Sequence, residues 1–168
     1  MRRFAFALSA VFALALTAVP VDAQLKLGVH GALVSGGLDE IATNVENPLS
    51  GVFGVGGRLG VEVPLFPVGA YASMTYYLAD SDENYWTASV FGKLGLPIPI
   101  ISPYAIAGLK RSSANPGDLT SEAATGLFGG VGLQISSLFI EGTIEMNDEV
   151  TASVGNNPIV LKGGFIIG

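Results

Sequence analysis

One stretch decides the fold of this chain: Val52-Phe53-Gly54-Val55-Gly56-Gly57-Arg58-Leu59-Gly60-Val61-Glu62-Val63. Large apolar side chains occupy its odd-numbered positions, apart from Gly57, and its even-numbered positions hold glycine, Arg58 and Glu62 after the initial valine. A repeat of two residues is the period of a β-strand, in which successive side chains point to opposite faces. Sequence rich in valine and glycine is also a poor helix former. The stretch therefore predicts a strand with one apolar face and one small, charged face.

The same alternation occurs seven more times along the chain. Together with residues 52–63, the predicted strands cover residues 25–35, 69–78, 85–96, 104–111, 125–135, 138–146 and 159–167. In the third and fifth strands the alternation does not decide which face is apolar. The eight prolines after residue 23, Pro103 among them, all fall in predicted connections, as expected because proline cannot donate to a strand ladder. The sequence therefore predicts an all-β fold of eight strands.

The N-terminal segment has the pattern of a secretory signal peptide. Arg2 and Arg3 precede an apolar run, and Pro20 and small residues follow that run before Gln24. A single membrane anchor is the alternative, but the apolar run is short for a span of about 20 residues. We therefore expect residues 1–23 to be the signal peptide and residues 24–168 to form one domain.

Charge and composition exclude several function classes. Residues 24–168 contain six basic and 13 acidic residues, a net charge of −7, which argues against a nucleic-acid partner because phosphate binding needs clustered Lys and Arg. The chain contains no cysteine, so neither disulfides nor cysteine-based sites are available. We expect no cofactor.

The connections between the predicted strands are of two kinds. Ten of the 13 acidic residues fall in four stretches that follow the first, third, fifth and seventh strands, whereas the connections at 64–68, 97–103 and 136–137 carry no charge. Short turns on one side and longer loops on the other are typical of outer-membrane barrels. We expect the acidic connections to lie outside the cell and both ends of the domain to lie in the periplasm.

The composition of the polar face indicates whether that face points into the barrel or towards solvent. A soluble barrel would carry many Lys, Glu, Thr and Gln residues outside, but this face holds mostly Gly, Ala and Ser with one or two charges per strand. Small residues suit the narrow interior of an eight-stranded barrel, and we expect glycines 54, 56, 60, 130 and 132 to make room for Arg58, Phe128 or Gln134. Since an isolated charge there would be costly, we expect a network of charges in the lumen: Lys26, Arg58, Glu62, Lys93, Glu141, Glu145 and Lys162.

Aromatic residues gather towards the strand ends. They predict an aromatic girdle at the two membrane interfaces, although ordinary β-propensity explains them equally well. The residues concerned are Phe53, Tyr76, Tyr77, Tyr85, Trp86, Tyr104 and Phe165.

The whole pattern resembles the small eight-stranded outer-membrane barrels of the OmpX type and the transmembrane domain of the OmpA type. The features that carry the resemblance are the signal peptide, the eight alternating strands, the turn and loop pattern, the Glu/Lys/Arg set and segments such as residues 103–109. The resemblance implies an eight-stranded antiparallel up-and-down transmembrane β-barrel in the bacterial outer membrane, with a packed lumen. It also implies contact with outer-membrane lipids, lipopolysaccharide and the barrel assembly machinery. The roles it implies are envelope integrity, adhesion and host interaction.

Enzymatic activity is disfavoured by the histidine content. His30 is the only histidine, and it falls midway along the first strand on the lumen face, where a general base would not reach a substrate in the outer leaflet. We expect His30 to make a hydrogen bond in the lumen and the protein not to be an enzyme. The cluster Asp80, Asp82 and Glu83 is a weak candidate for binding Ca²⁺, and a solvated acidic tip is the simpler interpretation.

Three functions remain open at this point. The leading hypothesis is a non-enzymatic outer-membrane barrel that supports the envelope or presents acidic loops to an extracellular ligand. A soluble periplasmic or secreted barrel of lipocalin type would bind a hydrophobic ligand in an apolar interior. A narrow ion pore would conduct through the lumen.

Overall fold

The structure is a computed structural model that describes residues 23–35, 52–63, 68–78, 84–96, 98, 100–113, 124–146 and 158–168. The predicted signal peptide, apart from Ala23, and the acidic cluster Asp80, Asp82 and Glu83 lie outside these ranges. Within them, no helix is long and apolar enough to cross a membrane.

Eight antiparallel strands form a closed barrel in which each strand pairs with its neighbours in sequence and β1 pairs with β8. The predicted fold class is therefore confirmed. The strands are β1 Gln24–Ser35, β2 Val52–Val63, β3 Val68–Leu78, β4 Tyr85–Gly95, β5 Ser102–Ser113, β6 Ala124–Ile135, β7 Leu138–Met146 and β8 Ile159–Ile167.

The up-and-down order puts the connections at two opposite ends. The end that joins β2 to β3, β4 to β5 and β6 to β7 is called the turn rim, and it is also where β1 begins and β8 ends. The other end, called the loop rim, joins the remaining consecutive pairs, and all four acidic stretches fall in its connections by sequence. The two chemical kinds of connection are thus separated at opposite ends of the barrel.

The strands are tilted relative to the barrel axis. Following the paired residues once around the barrel from Gln24, through Glu62 on β2, leads back to β1 at Val34 and not at Gln24. A stagger of this kind is what closing a small barrel requires. It brings residues from different heights of their strands to the same level of the lumen.

The apolar face of the strands points outwards. Leu27, Val29 and Ile144 are exposed on the outer surface, whereas Arg58 and Glu141 are buried inside. The structure also decides the faces of β3 and β5. Their lumen-facing residues are Tyr71, Ser73, Thr75, Tyr77, Tyr104, Ile106, Lys110 and Ser112.

Two of the eight prolines after residue 23 lie in the described part of the chain: Pro158 precedes β8 as predicted, whereas Pro103 contradicts the predicted placement. It is the second residue of β5 and pairs with Leu133 of β6. Its carbonyl accepts a hydrogen bond from the Leu96 N–H at 2.8 Å. A proline at the beginning of a strand is tolerated because the ladder there makes little demand on the missing N–H, so the strand starts before Pro103 and not after it.

The lumen glycines make room for different side chains from those predicted. Gly54, Gly60 and Gly132 are cross-strand partners of tyrosines, and a Cβ at any of them would lie within 2.6 Å of the tyrosine ring. A Cβ at Gly56 would lie 2.7 Å from His30 Nε2. The expectation that these glycines accommodate Arg58, Phe128 or Gln134 is wrong, because the barrel register sets an aromatic ring or His30 over most of them. The tyrosines concerned are Tyr77, Tyr71 and Tyr104.

The aromatic girdle is wrong for four of its seven residues, because Trp86 is only 4% exposed and three tyrosines face the lumen. Tyr77, Tyr85 and Tyr104 are buried in the lumen, where Tyr77 and Tyr85 stack with ring centroids 4.7 Å apart. Phe53 and Phe165 are exposed on the outer surface. Position near a strand end did not distinguish lumen-facing from outward-facing aromatic residues, because a side chain there can face either way.

Two adjacent glycines of β6 provide a matched test of this packing. A Cβ at Gly130 would lie 2.2 Å from the Gly142 carbonyl oxygen, which is backbone and cannot move aside, whereas a Cβ at Gly129 has no neighbour closer than 3.8 Å. We expect Gly130→Ala to lower the free energy of unfolding by about 1–3 kcal/mol. Gly129→Ala is expected to leave it unchanged or raise it by up to about 1 kcal/mol. Urea unfolding of both variants, followed by Trp86 fluorescence, measures the difference, and equal losses would contradict this account of the lumen.

Candidate functional site: the charged lumen

The candidate site is the row of charged side chains inside the barrel. Only Glu62, Glu141 and Glu145 lie outside the four acidic stretches of residues 24–168, and each of these three carboxylates forms an ion pair in the structure. Their partners are Lys93, Arg58 and Lys110 respectively. Every described carboxylate is therefore neutralised within the barrel.

The central pair joins β2 to β7 across the lumen. Arg58 donates through both terminal nitrogens to Glu141, at 2.6 Å to Oε1 and 3.0 Å to Oε2. Tyr104 also donates its hydroxyl to Glu141 Oε2 at 3.1 Å. The Arg58 guanidinium carbon lies 3.8 Å from the centre of the Phe139 ring. Bidentate pairing, an extra donor and a ring contact together make this a geometrically well-defined charge pair.

A second buried pair joins Lys110 of β5 to Glu145 of β7. Lys110 was absent from the predicted network because Lys110 and Arg111 are adjacent, so each face of β5 carries one of the two charges. In the structure Lys110 faces the lumen and Arg111 faces outwards. The count of charges gave no signal for Lys110, because the predicted network already held four basic residues for three carboxylates.

The third pair lies closer to the turn rim and is partly exposed. Lys93 Nζ lies 2.6 Å from Glu62 Oε1 and donates to Gln134 Oε1 at 2.7 Å. Tyr71 donates its hydroxyl to the same Glu62 oxygen at 2.6 Å. The ammonium group also lies 4.7 Å from the centre of the Tyr104 ring. Polar and aromatic groups thus close the lumen at this level.

The two remaining predicted members form no ion pair with a residue that the structure describes. Lys26 lies near the turn rim, where its Nζ donates to Gln24 Oε1 at 3.0 Å and to the Gly168 carbonyl oxygen. Lys162 is buried and is the cross-strand partner of Glu141. Its Nζ lies 6.0 Å from the centre of the Phe128 ring. The structure therefore brings five of the seven predicted residues into pairs, with Lys110 as the added partner.

His30 makes the hydrogen bond expected of it. It is buried, and its Nε2 lies 2.9 Å from Thr75 Oγ1. The imidazole lies over Gly56 and its centre is 6.5 Å from that of the Phe139 ring. His30 is thus part of the packed lumen wall.

Metal binding at the predicted cluster of Asp80, Asp82 and Glu83 falls outside the described residues. Among the residues that the structure does describe, no group of three or more His, Cys, Asp or Glu side chains is arranged to hold a metal ion.

A closed barrel of eight strands, apolar outside and charged within, is the architecture of the small transmembrane β-barrels. A search of solved structures finds Neisserial surface protein A (NspA), which is 14% identical, with a TM-score of 0.53, over 86% of this chain and 97% of that chain. The resemblance to small eight-stranded outer-membrane barrels is thereby confirmed at the level of the fold.

Other similar structures are those of Ail, the attachment invasion locus protein of Yersinia pestis. Ail alone is 15% identical with a TM-score of 0.44, and Ail in complex with the heparin analogue sucrose octasulfate has a TM-score of 0.42, both over 86% of this chain and 97% of that chain. No protein-family model and no curated protein matches the chain.

Proposed function

We propose that this chain is a non-enzymatic barrel of the bacterial outer membrane that supports the envelope or presents its acidic connections to an extracellular partner. Outer-membrane lipids and lipopolysaccharide would surround it, and the barrel assembly machinery would insert it. The loop rim would face the cell exterior and the turn rim the periplasm.

The observation that carries this proposal is the contrast between the two faces of the barrel wall. The outer surface exposes large apolar side chains on all eight strands, including Val29, Val131 and Ile140. A surface of this extent is unfavourable in water and favourable against acyl chains. The charges of the strands, by contrast, lie on the lumen face, apart from Arg111 near the loop-rim end of β5, and six of them form ion pairs there.

The same contrast disfavours a soluble barrel of lipocalin type. Such a barrel would need an apolar interior for its ligand and a polar exterior for water. This lumen contains buried Arg58, Lys110, Glu141 and Glu145, with aromatic rings packed between them.

A narrow ion pore is disfavoured by the packing of the lumen. Phe91, Phe128 and Phe139 are buried inside the barrel, and the Arg58–Glu141 pair crosses it from β2 to β7. An eight-stranded barrel encloses only enough space for its own side chains. Conduction would require these groups to separate.

Fractionation and bilayer recording test the proposed setting. We expect the protein to require detergent for extraction, to migrate differently on a gel before and after boiling, and to show no stepwise conductance in planar bilayers. Recovery in the aqueous fraction would contradict a membrane location. Conductance steps that change in Arg58→Ala would support the pore instead.

A second experiment separates the two proposed roles. A strain whose barrel has shortened connections at the loop rim, but still shows heat-modifiable migration, is compared with a deletion strain. If the loops present a ligand site, the shortened barrel loses adhesion while resistance to detergent is kept. If the barrel supports the envelope, only the deletion strain becomes sensitive to detergent. No change in either strain would contradict both roles.

A further inference from the structure

The enclosed part of the lumen contains one more positive than negative charge among the described residues. Its buried basic side chains are Arg58, Lys110 and Lys162, and its buried acidic side chains are Glu141 and Glu145. Glu62 and Lys93 neutralise each other nearer the turn rim. With His30 neutral, the excess is one positive charge.

The excess charge is located at Lys162. Arg58 holds both oxygens of Glu141, and Lys110 holds Glu145. Lys162 forms no ion pair with any other residue that the structure describes, and its nearest aromatic contact is 6.0 Å from Phe128. A buried ammonium group without a counter-charge is strongly unfavourable. Glu141 is the cross-strand partner of Lys162, but Arg58 already holds both of its oxygens. A further anion near Lys162 would balance the ammonium charge.

Unused hydrogen-bond donors are also buried in the lumen. His30 Nδ1, Arg58 Nε and Ser73 Oγ are buried and have no hydrogen-bond partner among the described residues. Ser73 is the cross-strand partner of Arg58. Unpartnered buried polar atoms are uncommon in folded proteins, and all three of these can donate to an anion.

The register places His30 between the two cations. Its cross-strand partner on β8, Gly164, is two residues from Lys162, and its partner on β2, Gly56, is two residues from Arg58. Side chains in this diagonal relation lie within reach of each other on one face of a sheet.

We propose that the lumen binds one small monovalent anion, such as a halide, between Lys162, His30 and Arg58. His30 donates to it through Nδ1–H while its Nε2 accepts a hydrogen bond from the Thr75 hydroxyl. A monoatomic ion fits a lumen otherwise filled by side chains, and one negative charge balances Lys162. This inference goes beyond the proposed function, since it concerns the barrel interior and not its loops.

Anion-dependent stability of the folded barrel in detergent tests the proposal. At constant ionic strength, replacing sodium gluconate by sodium chloride is expected to raise the unfolding midpoint by several degrees, because a ligand of the native state stabilises it in proportion to the logarithm of its concentration above the dissociation constant. Lys162→Met should abolish this shift. Lys26→Met, the matched change outside the proposed site, should preserve it.

A measurement on the wild-type barrel keeps the test independent of whether the variant folds. Crystals soaked in sodium bromide are expected to show an anomalous peak in the lumen beside Lys162 Nζ. A barrel with no such peak and the same midpoint in chloride and gluconate would overturn the proposal, since Lys162 would then be neutral or paired with a carboxylate from an acidic connection. An equal chloride shift in wild type and Lys162→Met would also overturn it.

Discussion

Glu141→Leu is expected to lower the free energy of unfolding of the barrel by about 3–5 kcal/mol, the loss typical when one partner of a buried ion pair is removed. The substitution leaves the Arg58 guanidinium inside the lumen without its two charged hydrogen bonds and leaves the Tyr104 hydroxyl without its acceptor. Urea unfolding in detergent micelles or liposomes, followed by the fluorescence of Trp86, the only tryptophan, measures the loss.

Two controls separate the cost of an unpaired charge from the loss of packing. In Arg58→Met/Glu141→Leu neither partner of the pair is left without the other, so most of the lost stability should return, as it commonly does when a buried pair is replaced by apolar side chains. Glu62→Leu should cost about 1 kcal/mol or less, because the Glu62 side chain is 23% exposed and water reaches its partner Lys93. A double variant as unstable as Glu141→Leu alone would show that the pair is not the source of the effect.

Val29→Arg is expected to lower the stability of the barrel in liposomes by about 2–4 kcal/mol, the cost of an arginine at the bilayer midplane on the lipid face of a barrel. Val29 lies near the middle of β1, points outwards and is 63% exposed. Comparison of urea unfolding in lipid vesicles for the variant and the wild type measures this cost.

The depth of the substitution provides its control. Leu78 is the last residue of β3 at the loop rim and also faces outwards, so Leu78→Arg should cost about 0–1 kcal/mol near the interface. A soluble barrel predicts a different outcome, because an arginine on a surface that faces water is nearly neutral wherever it lies. Equal, small effects at Val29 and Leu78 would therefore contradict the membrane setting.

The positions of the strands could be predicted from the sequence because side-chain alternation is a local property of one strand. Strands β2, β7 and β8 have the predicted bounds, and the others differ by one or two residues at an end. The largest differences are in β5, which begins before Pro103 and extends to Ser113. A segment with apolar residues on both faces, such as residues 104–109, has no contrast from which the faces of its strand can be read.

The pairing of the charges could not be predicted in the same way. Arg58 and Glu141 are 83 positions apart on strands that are not neighbours, so their contact depends on the closure and stagger of the whole barrel. The same applies to Lys110, whose orientation followed only from its pairing with the strands on either side. Lys26 lies on the same face of its strand as the paired residues, but it is located near the turn rim.

The sequence by itself determined eight strands, one apolar face on most of them, the separation of acidic from uncharged connections, and a small set of charges on the opposite face. These properties depend on the order of residues within single strands, where successive side chains point to opposite sides. Only the tertiary structure decided which charges meet, which rings cover the lumen glycines, and that Lys162 has no ion-pair partner among the described residues. Those outcomes depend on the register of all eight strands at once, because a closed barrel sets the height of each residue in the lumen.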